Sequence, residues 1–239
     1  MIKKRKKLIT PVIVLGIIFL MSSCKKDSNS VTYIDHTGEK GTVSDIDGNV
    51  YATIGIGSQI WMAENLKVTH YRDGSIIPEV QDNNLWDNLT SGAFCSYNND
   101  AGISAGYGLL YNWSAITNNI GISPDGWHIP TKDEWDTLIN KLGGKSVAGS
   151  LLKESGNAHW TSFNSDATNE SGFSALPGGW RINMGSSFFI NERGFWWTKS
   201  DDFLPGSFAY SYCIYNDSTK IASLATIQNF GLSVRCVKN

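Results

Sequence analysis

The chain has 239 residues, a formal net charge of −2 and a pI near 6.1. Five of its 20 basic residues fall within the first 23 positions; without that stretch 15 basic and 22 acidic residues remain, a net charge of −7, and no Lys/Arg cluster is left to neutralise phosphates, which argues against a nucleic-acid partner. With 41% hydrophobic residues, nine Trp, 24 Gly and only 18% charged residues, the chain has enough apolar material for a core and too few strong helix formers to be mainly helical.

The N-terminus reads as an address. Lys3 to Lys7 form a positive stretch, and Leu8 to Met21 is a mostly apolar run of 14 residues. That run is short of the roughly 20 residues a spanning helix needs and fits the apolar region of a secretory signal. Met21-Ser22-Ser23-Cys24 resembles a bacterial lipobox, although Met stands where Leu is commonest. The resemblance implies a signal peptide over 1–23, removed on export, and lipidation of Cys24. Acyl chains contribute roughly 0.8 kcal/mol per buried CH₂, so two or three of them hold a protein on a bilayer. The expected partner is therefore the membrane, and the expected location is the bacterial cell envelope, at the outer membrane. Residues 24–42 comprise that cysteine and a polar, irregular tether, followed by one domain over 43–238.

Within the domain, Thr42 to Ile46 reads as a strand, Asp47-Gly48 as a turn, and Val50 to Ile56 as a β-rich run. Gly57-Ser58 supplies a second two-residue turn and Gln59 to Met62 the returning strand. Ala93 to Tyr97 is a further short strand. Tyr107 to Ile116 is expected to be helical, with Leu109, Trp113 and Ile116 on one face. Thr131 to Leu142 carries a stronger signal: Thr131 and Glu134 form a capping box, Trp135, Leu138, Ile139 and Leu142 make one stripe, and Gly143-Gly144 ends it. A short helix is expected over Val147 to Lys153, and alternating strands run to the C-terminus. Strands, then helices, then strands indicate an α+β fold.

Beyond Cys24, three cysteines remain: Cys95, Cys213 and Cys236. Export to an oxidising compartment permits a disulfide, and an odd count leaves at least one thiol free. Cys213 with Cys236 is one pairing, Cys95 with Cys236 its rival, and three buried thiols acting as small apolar groups the third reading. No C-x-x-C pair exists, which removes zinc and dithiol chemistry.

Seven segments in order carry a family resemblance: Trp61 to Leu66, Tyr107 to Trp113, Gly126 to Thr131, Glu134-Trp135, Gly172 to Arg181, Phe195 to Trp197, and Ser233 to Val237. Together they resemble the Fibrobacter succinogenes major paralogous domain family. The resemblance implies an exported, lipid-anchored protein. It also implies a fold similar to C-type lectin-like domains and sulfatase-modifying factors, with two main helices, small antiparallel sheets and long loops. In such folds rings brace long loops, a role expected of Trp127, Trp135, Trp160, Trp196 and Trp197. Rings left exposed would stack on sugars, and Trp160, Trp180 and Trp197 are the candidates.

Catalytic signals are thin. The four histidines are scattered, and His128 reads as structural. Gly102-Ile103-Ser104-Ala105-Gly106 matches G-x-S-x-G in a chain without the repeated βα units of a hydrolase. Asp45, Asp47 and Asn49 read as a turn. No cofactor motif is present. Asn164, Asp166, Asn169 and Glu170 form an oxygen-rich loop of the kind that binds calcium in lectin-like folds. The expectation is a non-catalytic, lectin-like binding module for a glycan or a partner protein. The alternatives are a structural subunit of an outer-membrane assembly, or an envelope enzyme related by fold to sulfatase-modifying factors.

Overall fold

Turn chemistry and alternation set the first three strands: β1 (Lys40–Ser44), β2 (Val50–Ile56) and β3 (Gln59–Met62). In the first turn Asp45 accepts from the backbone N–H groups of Asp47 and Asn49 at 3.0 and 2.9 Å, the turn the sequence predicts. The second turn needs Gly57, whose φ is +62°. The computed structural model describes residues 34–161, 164, 166–200 and 207–239. The expected signal peptide, Cys24 and most of the tether lie outside the described residues.

The chain continues through α1 (Asn83–Asp87), β4 (Phe94–Cys95), α2 (Ala101–Tyr107), β5 (Leu110–Tyr111), α3 (Trp113–Thr117) and β6 (Trp127–His128). Then come α4 (Lys132–Lys141), α5 (Ala148–Leu152), β7 (Gly178–Arg181), β8 (Ser187–Ile190), β9 (Arg193–Trp197), β10 (Phe208–Tyr215), β11 (Ile221–Ile227) and β12 (Val237–Lys238). One five-stranded sheet runs β1-β2-β3-β12-β6, a second β11-β10-β9-β7-β8, and β4 pairs with β5. Pairing is antiparallel except where β7 meets β9. The architecture is α+β, dominated by sheet. Because β12 inserts between β3 and β6, the C-terminal segment completes the sheet that the first strands begin.

Helix α4 forms where the sequence predicts it. Thr131 Oγ1 accepts from Glu134 N, and Glu134 Oε2 accepts from Thr131 N at 2.8 Å, which closes the capping box. Trp135, Leu138 and Ile139 are buried, each side chain contributing about 1.5–3 kcal/mol on leaving water. The expected helix over Tyr107 to Ile116 is corrected: α2 ends at Tyr107 and α3 starts at Trp113, with β5 between them. Gly108 is the cause. Its φ is +82°, and a Cβ there would stand 2.6 Å from Asn65 Cβ, so the chain breaks to let another loop approach. Among the described residues there are one ten-residue α-helix and four of five to seven residues, with α5 falling where the short helix over Val147 to Lys153 is expected.

The tether is shorter than expected. His36 N donates to Gly57 O at 2.7 Å and Gly38 N to Gly55 O at 2.9 Å, so the chain already lies along β2 before residue 43. A side chain at Gly55 would collide with the His36 carbonyl.

Candidate functional site

The segments that carry the family resemblance converge inside the molecule. Asn65 is the junction. Its Oδ1 accepts from Trp196 Nε1 and from Arg235 Nε, both at 2.9 Å, while its Nδ2 donates to Tyr107 O at 2.8 Å. Arg235, 1% exposed, also donates to the carbonyls of Phe173 and Ser174, and its guanidinium lies 4.2 Å from the Phe173 ring centre. Burial pulls this guanidinium down to about 9, still charged at neutral pH. Trp135 packs on Trp61 and Tyr212, each at 5.0 Å between ring centres, and within 5.8 Å of Phe173. These groups reach no solvent, so they hold the fold and cannot receive a ligand.

Two more buried cations work in the same way. Lys153 Nζ donates to the carbonyls of Tyr215, Asn216 and Ser218, each at 3.2 Å, and so fixes the β10–β11 turn. Arg181 donates to Gly185 O, Val80 O, Gln81 O and Asn83 Oδ1, and stacks 4.5 Å over Trp86. A buried cation is costly unless its donors are met. Here backbone carbonyls meet most of them. The legible signal is local: Arg235 sits in the alternation Val234-Arg235-Cys236-Val237.

Burial also decides among the aromatic candidates. Seven of the nine Trp are buried, including the expected braces Trp127, Trp135, Trp160, Trp196 and Trp197. Trp160 and Trp197, at 2% and 0% exposed, are thereby corrected as stacking surfaces. Trp160 Nε1 donates to Ala175 O and Trp197 Nε1 to Tyr111 O. Trp180 is partly exposed, but its ring is taken up by Phe195, stacked at 4.1 Å, with Phe189 and Phe230 edge-on.

The remaining candidates are accounted for by local structure. Cys95, Cys213 and Cys236 are free, buried thiols, so the Cys213–Cys236 bridge is corrected. Cys213 stands opposite Phe195 and Ala222 in the second sheet, whereas the Cys236 carbonyl accepts from Met62 N beside the first. Burial raises Cys95 to about 11 and Cys213 to about 12, and Cys236 also upward, which keeps all three protonated and inert. Ser104 is 7% exposed, and its hydroxyl has no hydrogen-bond partner among the described residues. His128 Nε2 lies 2.7 Å from Glu134 Oε1, and Nδ1 lies 2.6 Å from Asn239 Oδ1, so both ring nitrogens are engaged. In the oxygen-rich loop the two amide nitrogens are turned to protein partners. Asn164 Nδ2 serves Glu154 O and Gly156 O, and Asn169 is bonded to Ser174 through both ends of its amide. Among the described residues no group of three His, Cys, Asp or Glu converges.

What the surface does offer is an open cleft of about 580 Å³ between β2, the C-terminal end of α4 and the 169–172 loop. Ile54, Ile56, Leu142 and Leu151 give an aliphatic lining; Lys40, Lys141, Glu170 and Ser171 give a polar rim. The volume lies within the roughly 300–1,000 Å³ of ordinary ligand sites. Gly172 lets the loop approach the floor, since a Cβ there would sit 3.1 Å from Ile54 Cγ1. Lys141 Nζ bonds Asp35 Oδ2 at 3.1 Å, and hydrogen bonds from Thr37 hold the Asp35 carboxyl down to about 2. Of the sequence candidates only Asn169 and Glu170 line this cleft. Its lysines and aliphatic floor carry no motif; the one local hint is Ile54-Gly55-Ile56-Gly57, a strand in which Gly replaces every second side chain.

Compared with known proteins, the chain matches the family model described as the Fibrobacter succinogenes major domain over residues 54–238. No curated protein and no solved structure matches it.

Proposed function

The chain belongs to the Fibrobacter succinogenes major domain family, and from that premise we propose that it is a non-catalytic binding module of the bacterial envelope, anchored through acyl groups on Cys24, whose cleft takes a segment of a partner protein. The observation that carries this reading is the cleft itself: an aliphatic floor under a rim of both charge signs. Alkyl side chains and charged groups occur together on polypeptides. Sugars are gripped by stacking on open rings, and the Trp rings of this protein are mostly turned inward. The lectin-like branch of the expectation is for that reason the weaker one. The non-catalytic assignment draws on the engaged nitrogens of His128 and on Ser104, whose buried hydroxyl has no hydrogen-bond partner among the described residues.

A photoreactive residue at Ser171, in the full chain on membranes, tests the cleft. The expected result is one cross-linked polypeptide, lost when Leu151→Trp fills the cleft. Labelling that is absent, or indifferent to Leu151→Trp, overturns the assignment. Mass spectrometry of the Cys24 peptide tests the anchor, with diacylglyceryl and acyl mass expected and a bare thiol the overturning result. A structural subunit of an outer-membrane assembly is the second reading, favoured by the inward rings; it expects stoichiometric co-purification that Leu151→Trp does not disturb.

A further inference from the structure

Strand β1 forms one edge of the first sheet, and its hydrogen-bonding directions follow from the neighbouring turn. The two-residue turn Gly57-Ser58 joins Ile56 to Gln59, and bonding direction alternates along a strand. Ala52 O accepts from Ala63 N on the β3 side, while Gly55 N donates to Glu39 O on the β1 side. In register, Gly41 pairs with Thr53 and Val43 with Tyr51, so these two bond inward. Lys40, Thr42 and Ser44 therefore direct their N–H and C=O groups away from the sheet, and all three are exposed. Their side chains share a face with Ile54, Ala52 and Val50, their cross-strand partners. Val50 is 59% exposed, and Lys40 and Ile54 line the cleft. The open edge and the cleft are thus one continuous surface.

We propose that the partner segment is an extended peptide that adds as a further strand on β1, setting an acidic side chain against Lys40 and aliphatic side chains over Ile54 and Val50. The inference rests on the reading of the cleft as a protein-binding site and names its mode. Three outward residues at strand spacing present donors and acceptors that a polypeptide backbone matches and a sugar does not. The charge argument is specific: Lys40 forms no ion pair among the described residues, whereas Lys141 is shared with Asp35. Edge strands left this open recruit other strands unless they are blunted; β1 has one Lys and no Pro, and the one bulge beside it, where Gly38 and Glu39 both face Gly55, precedes Lys40 and leaves the register from Lys40 to Ser44 regular.

The test uses the full chain in detergent and a bead library of acetylated heptapeptides. Enriched peptides are expected to be β-prone and to carry an acid. Thr42→Pro, which removes only an outward N–H, and Lys40→Glu, which reverses the charge should the first variant fold poorly, are each expected to weaken binding at least tenfold. N-methylation of alternate peptide residues is expected to do the same. If Ser171→Trp abolishes binding but Thr42→Pro, Lys40→Glu and N-methylation do not change it, the cleft stands and the strand-addition inference falls. If no peptide is enriched, both fall. A dimer that Thr42→Pro dissociates, with no peptide captured, overturns the inference in favour of a second copy of the chain on this edge.

Discussion

Two regions of this molecule use charge in opposite ways. Around Asn65, a buried Arg is surrounded by Trp196, Phe173 and main-chain carbonyls. At the cleft, Lys40, Lys141 and Glu170 stand in water beside an aliphatic floor. The junction is assembled from the segments that give the chain its family resemblance; the cleft mostly is not. Resemblance and recognition therefore sit in different places, and substitutions should separate them.

The largest effect is expected at the junction. Arg235→Met leaves the carbonyls of Phe173 and Ser174 without their donor, and the Asn65 amide oxygen with Trp196 alone. At about 1–3 kcal/mol for each orphaned group, a loss of about 3–5 kcal/mol is expected in urea unfolding. A loss below 1 kcal/mol would erase the contrast between the regions. Lys153→Met, nearly isosteric, is expected to cost about 2–3 kcal/mol because it frees the carbonyls of Tyr215, Asn216 and Ser218. The accompanying sign is an increase in hydrogen exchange confined to the β10–β11 turn.

Asp136 gives an intermediate case. Partial burial pushes its carboxyl up, but hydrogen bonds from Lys132 and Tyr212 outweigh that and leave it below 3.8. A carboxyl lowered in the fold contributes stability that is present above its unfolded value and lost as pH falls through the folded one. Asp136→Asn is expected to cost about 1 kcal/mol at pH 7 and to flatten the fall in stability below pH 4; an unchanged acid limb would show that Asp136 does not titrate with folding. The smallest effect is expected at the rim, where Lys40→Ala and Glu170→Gln should each leave stability within about 0.5 kcal/mol. A larger loss would mean that the cleft, too, is scaffold.

The sequence was most legible where the determinants are local. The strand over Val50 to Ile56, the return at Gln59 to Met62 and the helix capped by Thr131 follow from alternation, turn dipeptides and a box of four residues. The break at Gly108 was not legible, because it answers to Asn65, 43 positions away. Ring burial was legible only as a tendency: an indole packs inside or out according to partners far along the chain, as Trp196 does with Asn65. The burial of Arg181, Arg235 and Lys153 is set in the same way. Their donors are met by carbonyls on distant loops, which no window of sequence displays. Of the site, the sequence places Asn169 and Glu170 in a loop suited to calcium and Lys40 in a tether, whereas Lys40 begins β1.

One property of the three enclosed cations reaches further. Arg235, Arg181 and Lys153 fasten mainly onto peptide oxygens, and every amino acid brings one. The clasp itself does not depend on which side groups the held stretches carry, although Phe173 is fixed by its ring as well. A body held in this way is expected to accept substitution at the exposed positions of those stretches. It offers a ready frame on which randomised segments could be mounted and selected for new targets.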